Sequence, residues 1–366
     1  MIPVTKPYFP SREKLDKYID GIYERQWLTN NGVLVQELTR RLEEYLGVEN
    51  LLLVSNGTLA LQIAYRALGV SGAGPGERPE AITTPFTFIA TASSLKWDGI
   101  EPVFVDIDPE TWCLAPGNIE AAITPNTRAI VPVHVFGNAC DVEAIDSIAK
   151  KHDLKVIYDG CHAFGVKYKG ESLLKHGDAA TLSFHATKLF HTAEGGAIIF
   201  KRKEDLERAK KMINFGITGP ETIEEIGINA KLNEFQAAMG LCVLDEIEQI
   251  VRDRQCVTEI YDSCLGDKVQ KQRIQTGISY NHAYYPIALK DENQLITVMS
   301  SLRDCGVLAR RYFYPSLESV TCLDAGYSDC PESRKLAERI VCLPIYSELR
   351  TEELINIAEK VLEACE

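Results

Sequence analysis

One lysine, Lys188, closes the run Ser183-Phe184-His185-Ala186-Thr187-Lys188, and Glu194-Gly195-Gly196-Ala197 follows it. Upstream, Asp159 ends the apolar run Val156-Ile157-Tyr158. An amine, a carboxylate at a strand end, small hydroxyl residues and glycines together are what an imine-forming cofactor such as pyridoxal phosphate requires. The lysine makes the Schiff base and the carboxylate keeps the pyridine nitrogen protonated. Hydroxyls and backbone N–H groups hold the phosphate, and glycines let the chain approach the ring.

Each candidate also has a plain structural reading. Ser55-Asn56-Gly57-Thr58 precedes the helical run Leu59-Ala60-Leu61-Gln62-Ile63-Ala64. Gly57 and Thr58 there would offer N–H groups and a hydroxyl at the positive end of a helix, a fit for a phosphate dianion. Alone, the same residues make an ordinary N-cap. Phe88 follows a strand closely enough to stack on a pyridine ring, yet a lone phenylalanine is usually core. Asp159, buried without a cation, would be costly, so it calls for a charged partner or a satisfied turn. His162 is placed to hydrogen-bond a cofactor's phenolic oxygen or simply to pack. Ser183 offers a second hydroxyl for the phosphate. Lys188, in a cleft and with a lowered pKa, is a competent nucleophile. Asn229, in Gly227-Ile228-Asn229-Ala230-Lys231-Leu232, reads as part of a loop entering an Ala-rich, closely packed helix.

The elements that must position these residues alternate. Val33–Leu46 shows helical spacing, and residues 50–54 read as a short buried strand. Further strands are expected at 81–84, 102–106, 129–135, 155–159, 180–184 and 196–200, with helices such as 141–152 between them. Continuous apolar strands separated by helices indicate an α/β fold with a mainly parallel sheet covered on both faces. Sites in such sheets lie off the carboxyl ends of the strands. That rule brings Ser55–Thr58, Pro85–Phe88, Asp159 and Ser183–Lys188 to one rim. Beyond residue 245 the texture changes to a long polar helix at 244–265, a strand-like stretch at 280–289, a helix at 293–304, a Tyr- and Pro-rich stretch and a terminal helix at 351–364. We therefore expect a large domain over 1–245, with an N-terminal arm, and a small domain over 246–366. Residues 69–79 read as a surface loop.

The formal net charge of −13 argues against a nucleic-acid or anionic-membrane binder, so a phosphorylated ligand must be held by local donors. The 11 cysteines are odd in number and carry no zinc spacing, which reads as reduced thiols and no metal site. The N-terminus has no apolar leader and no long apolar run occurs, so a cytoplasmic enzyme is expected.

These residues together, with Trp27-Leu28-Thr29-Asn30-Asn31-Gly32, Val103-Phe104-Val105-Asp106, Tyr314-Pro315 and Leu343-Pro344, resemble the DegT/DnrJ/StrS family of pyridoxal-phosphate-dependent nucleotide-sugar aminotransferases. The resemblance runs over most of the chain and implies the aspartate aminotransferase (type I) fold. It implies that Lys188 is the Schiff-base lysine and Asp159 the partner of the pyridine nitrogen. Gly57, Thr58 and Ser183 would hold the phosphate, Phe88 would stack on the ring, and His162 stands where the family has Gln or His. Asn229 resembles an asparagine that reaches into the neighbouring subunit's phosphate site, implying a homodimer with shared active sites. Thr29, Asn31, His185, His191, Arg310, Arg311 and Tyr314 are the candidates for contact with substrate. His191 stands where relatives often carry Asn, and Glu318 where a His is common. Family members that act as dehydratases replace the lysine with His, so Lys188 implies transamination.

The implied reaction takes an amino group from L-glutamate, stores it on the cofactor as its pyridoxamine form, and delivers it to a nucleotide-linked keto sugar. The expected acceptor is a dTDP-4-keto-6-deoxyhexose, with a 3-keto sugar or a UDP-linked 4-keto sugar as alternatives. From other classes, a pyridoxal-phosphate-dependent dehydratase and a silent cofactor-binding regulator remain.

Overall fold

The computed structural model describes residues 1–71, 78–326 and 328–365. Seven strands form the central sheet: β1 (Leu51–Val54), β2 (Glu80–Thr83), β3 (Glu101–Phe104), β4 (Thr127–Val131), β5 (Lys155–Asp159), β6 (Ala179–Ser183) and β7 (Gly196–Phe200). Their spatial order is β1-β7-β6-β5-β4-β2-β3. Only β7 runs against its neighbours; it pairs antiparallel with β1 and β6. The β6–β5, β5–β4, β4–β2 and β2–β3 pairs are parallel. The expected mainly parallel α/β sheet is therefore present, as a type I fold.

The apolar strands are buried on both faces because helices cover both. One core joins β-strand side chains to Leu34, Leu38, Leu42 and Leu46 of α2 (Val33–Leu46) and to Leu241 and Leu244 of α7 (Glu234–Asp245). The other packs Leu61, Ile63 and Tyr65 of α3 (Gly57–Ala67) and Leu206 and Met212 of α6 (Lys203–Met212) on the opposite face. A further core, from Val257 onward, joins α8 (Ile247–Leu265), α9 (Glu292–Asp304), α11 (Thr351–Glu363) and the antiparallel pair Tyr285–Ala288 with Ile340–Leu343. The chain's first residues join this part: Ile2–Pro3 pairs parallel with Val307–Leu308.

The structure departs from the expected elements in three places. The helix expected at 244–265 is two helices, α7 and α8, separated at Glu246. The strand expected at 280–289 is confined to 285–288. Its first half is a loop, because the Asn281 amide donates to the His162 and Phe164 carbonyls (both 2.9 Å) and holds this stretch against the large sheet. The strand expected at 129–135 ends at Val131, before Pro132, which has no N–H for a ladder. The core of the stretch expected to be a surface loop, residues 72–77, lies outside the described residues.

Candidate active site

The strand ends converge as the parallel topology requires. A cavity of about 330 Å³ opens there, lined by Asn56, Gly57, Thr58, Phe88, Asp159, His162, Ser183, His185, Lys188 and Arg310 among others. At one wall the Asn56 side chain caps α3, accepting from the Leu59 N–H at 2.8 Å. That cap turns the first-turn N–H groups of Gly57 and Thr58 toward the cavity, at the positive end of an 11-residue helix. A Cβ at Gly57 would lie 2.8 Å from Ser183 Cβ, so the helix start and the end of β6 touch only because residue 57 has no side chain.

At the floor, Asp159 is 5% exposed. Its Oδ2 accepts from Thr91 Oγ1 at 2.8 Å, and Thr91 in turn meets Thr87 Oγ1 at 3.0 Å. Its Oδ1 accepts from the Cys161 N–H at 3.2 Å. Among the described residues no ion pair reaches this carboxylate. A buried acid so held is oriented for a cation entering the cavity.

His162 is buried beneath the same space. The Phe136 N–H donates to its Nδ1 at 3.1 Å, which leaves the proton of the neutral ring on Nε2. Burial, with the Lys188 charge second, holds its pKa well below the usual histidine value, so the ring stays a neutral donor. The ring is stacked against Phe313 (5.8 Å) and Phe136 (6.1 Å).

Lys188 Nζ donates to the Tyr284 hydroxyl at 3.0 Å. Burial pulls its pKa down, but Tyr284, Cys161 and Asp159 outweigh that and leave it above the ordinary lysine value. The expected lowered pKa is thus reversed, because acidic and phenolic oxygens surround the amine.

A model of the DegT/DnrJ/EryC1/StrS aminotransferase family matches residues 11–362. The chain belongs to that family. Curated relatives include the dTDP-4-amino-4,6-dideoxy-D-glucose transaminases of Shigella dysenteriae and Escherichia coli. They are 42% and 36% identical, over 98% and 99% of this chain and 98% of each relative. Among solved structures, that of DesI in the presence of its TDP-sugar product matches 100% of this chain and 93% of that one, at 31% identity and a TM-score of 0.91. This chain is a nucleotide-sugar aminotransferase of a pyridoxal-phosphate-dependent family.

The residues present in this aminotransferase fit pyridoxal phosphate. The helix start that a Cβ at Gly57 would close would fit a phosphate, and the Asp159 carboxylate, without an ion-pair partner among the described residues, suits a pyridinium. Phe88 stands at the cavity wall, 57% exposed, with its ring free to cover a flat ligand.

Other candidates lie elsewhere. His191 is buried away from the cavity, its Nε2 on the Tyr8 carbonyl at 2.7 Å and its Nδ1 accepting from the Ala193 N–H at 3.2 Å. One ring nitrogen holds the N-terminal arm and the other the turn at Ala193, so none is left for a substrate. Arg311 points away from the cavity: its Nη2 donates to Glu292 Oε1 at 2.8 Å and to the Ala337 and Glu338 carbonyls. Tyr314 covers that guanidinium, with 3.5 Å from its ring centre to Cζ, and does not line the cavity. Glu318, whose side chain is 3% exposed, bonds Ser316 and Arg334 instead of facing substrate. Thr29, Asn31 and Asn229 are exposed and outside the cavity. Gly195 and Gly196 do not line it either; a Cβ on Gly195 would strike Thr192 Oγ1 and one on Gly196 the Asn56 carbonyl carbon, so Gly195 lets the turn before β7 close and Gly196 lets β7 pass the start of α3.

The structure adds residues that sequence reasoning passed over: Thr91, Cys161, Tyr284, Tyr312 and Phe313. Glu194, beside the two glycines, stands at the mouth with its Oε1 3.7 Å from His185 Nε2. Tyr284, Tyr312 and Phe313 come from the C-terminal part of the chain, and no local motif marks them.

Proposed function

We propose that this enzyme uses pyridoxal phosphate to move the amino group of L-glutamate to C4 of a dTDP-4-keto-6-deoxyhexose, giving a dTDP-4-amino-4,6-dideoxyhexose. The observation that carries the chemical part is the convergence of Lys188, the cation-free Asp159 and the Gly57–Thr58 helix start on one cavity. The acceptor rests on the two relatives named for a dTDP-linked 4-amino-4,6-dideoxyglucose.

Bound pyridoxal phosphate supplies an aldehyde that captures amino groups and a protonated ring that draws electrons from the neighbouring carbon. The chain's residues do the rest. The first-turn N–H groups of Gly57 and Thr58, with the Ser183 hydroxyl, hold the phosphate dianion. Asp159 keeps the ring nitrogen charged by pairing with it, and Thr91 fixes that carboxylate in place. Nε2–H of His162 donates to the phenolic oxygen, and Phe88 covers the ring. Lys188 Nζ would be the amine that holds the aldehyde, and as a free amine it would move a proton from the donor's α-carbon to the former aldehyde carbon on the other side of the transferred nitrogen. Arg310, exposed at the mouth and without an acidic partner among the described residues, meets the anionic groups of either substrate. Its neighbour Arg311 does not share that task.

Two copies complete the site in this reading. Trp27, Leu28, Phe215, Ile226, Ile228 and Phe235 are exposed, at 44–84%, around the stretch carrying Thr29, Asn31 and Asn229. An apolar face of this kind marks a protein interface, and its identity in every copy suits a two-fold dimer. Asn229 would then reach the partner's phosphate.

The test is incubation with glutamate and a panel of dTDP-, UDP- and GDP-linked 3-keto and 4-keto sugars, with the product read by mass and NMR. Amination of the dTDP-4-keto sugar with a kcat/KM at least tenfold above the others is expected. Preference for another member overturns the acceptor, and product formed without consumption of glutamate overturns transamination from that donor. For the dimer, mixing inactive Lys188→Ala and Asn229→Ala proteins should restore activity if one site can be built from the two unmutated halves. No recovery refutes shared sites.

A further inference from the structure

Tyr284 belongs to the small domain yet touches the reacting lysine. It precedes the strand Tyr285–Ala288, and its loop is held on one side by the large domain and on the other by α8 of its own half. The Asn281 amide holds the His162 and Phe164 carbonyls, Asn281 Oδ1 accepts from the Ala283 N–H at 3.1 Å, and the buried Arg254 Nη1 donates to the Ala283 carbonyl at 3.0 Å. The ring is packed on three sides, 4.7 Å from His162, 5.5 Å from Phe136 and edge-on to Tyr312 at 6.1 Å. With the ring so fixed, its hydroxyl has a set position, 3.0 Å from Lys188 Nζ.

We propose that Tyr284 is a positioning residue for Lys188, holding the ε-amine at the site of proton transfer in both of its protonation states. The proposal rests on the reading of Lys188 as the reacting amine. A freed lysine has four rotatable bonds and would otherwise wander. Transamination makes it a neutral amine when displaced, an ammonium after it takes the donor's α-proton, and a neutral amine again after it gives that proton to the carbon on the other side of the transferred nitrogen. A phenol is both donor and acceptor. It accepts from the ammonium and donates to the amine at one distance, so it gains and loses no proton itself. A carboxylate in its place would favour the ammonium alone and slow the proton's return; an apolar side chain would hold neither form. The charged and titratable groups facing Nζ are Asp159, Cys161, His162 and Tyr284. Tyr284 is the largest of those that raise the lysine's pKa.

The test is Tyr284→Phe, which keeps the ring and removes the oxygen. In the cofactor-free protein, the pH dependence of Lys188 labelling by an amine-reactive reagent, followed by peptide mass, should shift its midpoint to lower pH. In the holoenzyme, kcat should fall by about ten- to a hundredfold with little change in KM for either substrate, the scale for losing a hydrogen bond to a charged group. A packing role predicts a variant with wild-type labelling and a kcat within twofold, and that result overturns the proposal. Thermal melting of the variant separates misfolding: a Tm within a few degrees of wild type makes the kinetic result count. If it melts early, Tyr284→His, which retains a ring and a polar atom, must recover part of kcat, and failure to do so at normal stability also overturns it. The underlying reading fails separately. Borohydride reduction of the loaded wild type should attach the cofactor to the Lys188 peptide, and attachment elsewhere sinks the lysine assignment whatever Tyr284→Phe does.

Discussion

Gly57→Ala tests whether the close approach of α3 to β6 builds the phosphate cradle. A Cβ at residue 57 would stand 2.8 Å from Ser183 Cβ, 3.2 Å from its Cα and 3.3 Å from its Oγ. Carbon atoms in good contact are about 3.5–4.0 Å apart, so the helix start or the end of β6 must move by roughly 1 Å. Neither is a free side chain: Ser183 Cα is backbone, paired with Gly196 of β7, and α3 is fixed by its Asn56 cap. Overpacking of this kind costs about 1–3 kcal/mol. Where the strain is relieved by backing the first turn away from Ser183, the same 1–3 kcal/mol appears as weaker phosphate binding, about 5- to 150-fold in Kd. The assay is titration of apo-protein with pyridoxal phosphate, read by the visible band, alongside thermal melting with and without cofactor. The ligand-induced rise in Tm should shrink with the weaker Kd. Gly117→Ala is the control, because an added Cβ there meets nothing within 4 Å and the residue lies outside the cavity. A Gly57→Ala protein with wild-type Kd and wild-type Tm refutes the argument, since the clash would then have been absorbed at no cost.

Asp159→Asn keeps the side chain's shape and its Thr91 contact but removes the charge. An ion pair in contact is worth about 4 kcal/mol at an effective dielectric near 20, so kcat/KM should fall on the order of a thousandfold. A loss below tenfold contradicts the pyridinium pairing. Arg310 and Arg311 should part company. Arg311→Ala loses its Glu292 bridge and the Tyr314 stack and should destabilise by about 1–3 kcal/mol with unchanged KM. Arg310→Ala should raise KM by tenfold or more with unchanged Tm. The reverse pattern in steady-state kinetics and melting refutes the assignment. Acid stability tests His134, which is fully buried, accepts from the Cys140 N–H, stacks on Tyr158 at 4.5 Å, and has its pKa pushed by burial from 6.5 to about 3. The unfolded chain therefore binds a proton that the folded one refuses between those values. Stability from this group is complete above pH 6.5 and falls as pH drops toward 3, by about 2 kcal/mol at pH 5. His134→Asn, which keeps an acceptor for Cys140, should flatten that decline in urea unfolding at pH 7.5 and pH 5; an unchanged slope refutes it.

Much of the site was legible because parallel α/β topology converts sequence order into position. Gly57, Thr58, Phe88, Asp159, His162, Ser183, His185 and Lys188 each follow an apolar strand closely, and strands that run the same way deliver their carboxyl ends to one rim. The chemical types at those ends, an amine, an acid and helix-start donors, then restrict the reaction. What the chain alone left open was direction. Arg310 and Arg311 are neighbours in sequence, yet one faces the cavity and the other Glu292, because successive side chains of an extended backbone point opposite ways. His191 follows the lysine as closely as a ligand would, but its turn aims it at the Tyr8 carbonyl. Tyr284 carried no signal at all: a lone tyrosine beside an apolar strand looks like core. Only the docking of the C-terminal part onto the sheet, fixed by Asn281 while Arg254 braces the loop from within its own half, sets its oxygen beside Lys188. The sequence by itself determined the strands, the rim their ends share and the reactive groups upon it, since apolar period and the order of elements along the chain are read locally. The tertiary structure decided which side chains from the distant half close the cavity and how the lysine's pKa is poised, since both depend on contacts between residues far apart in the chain.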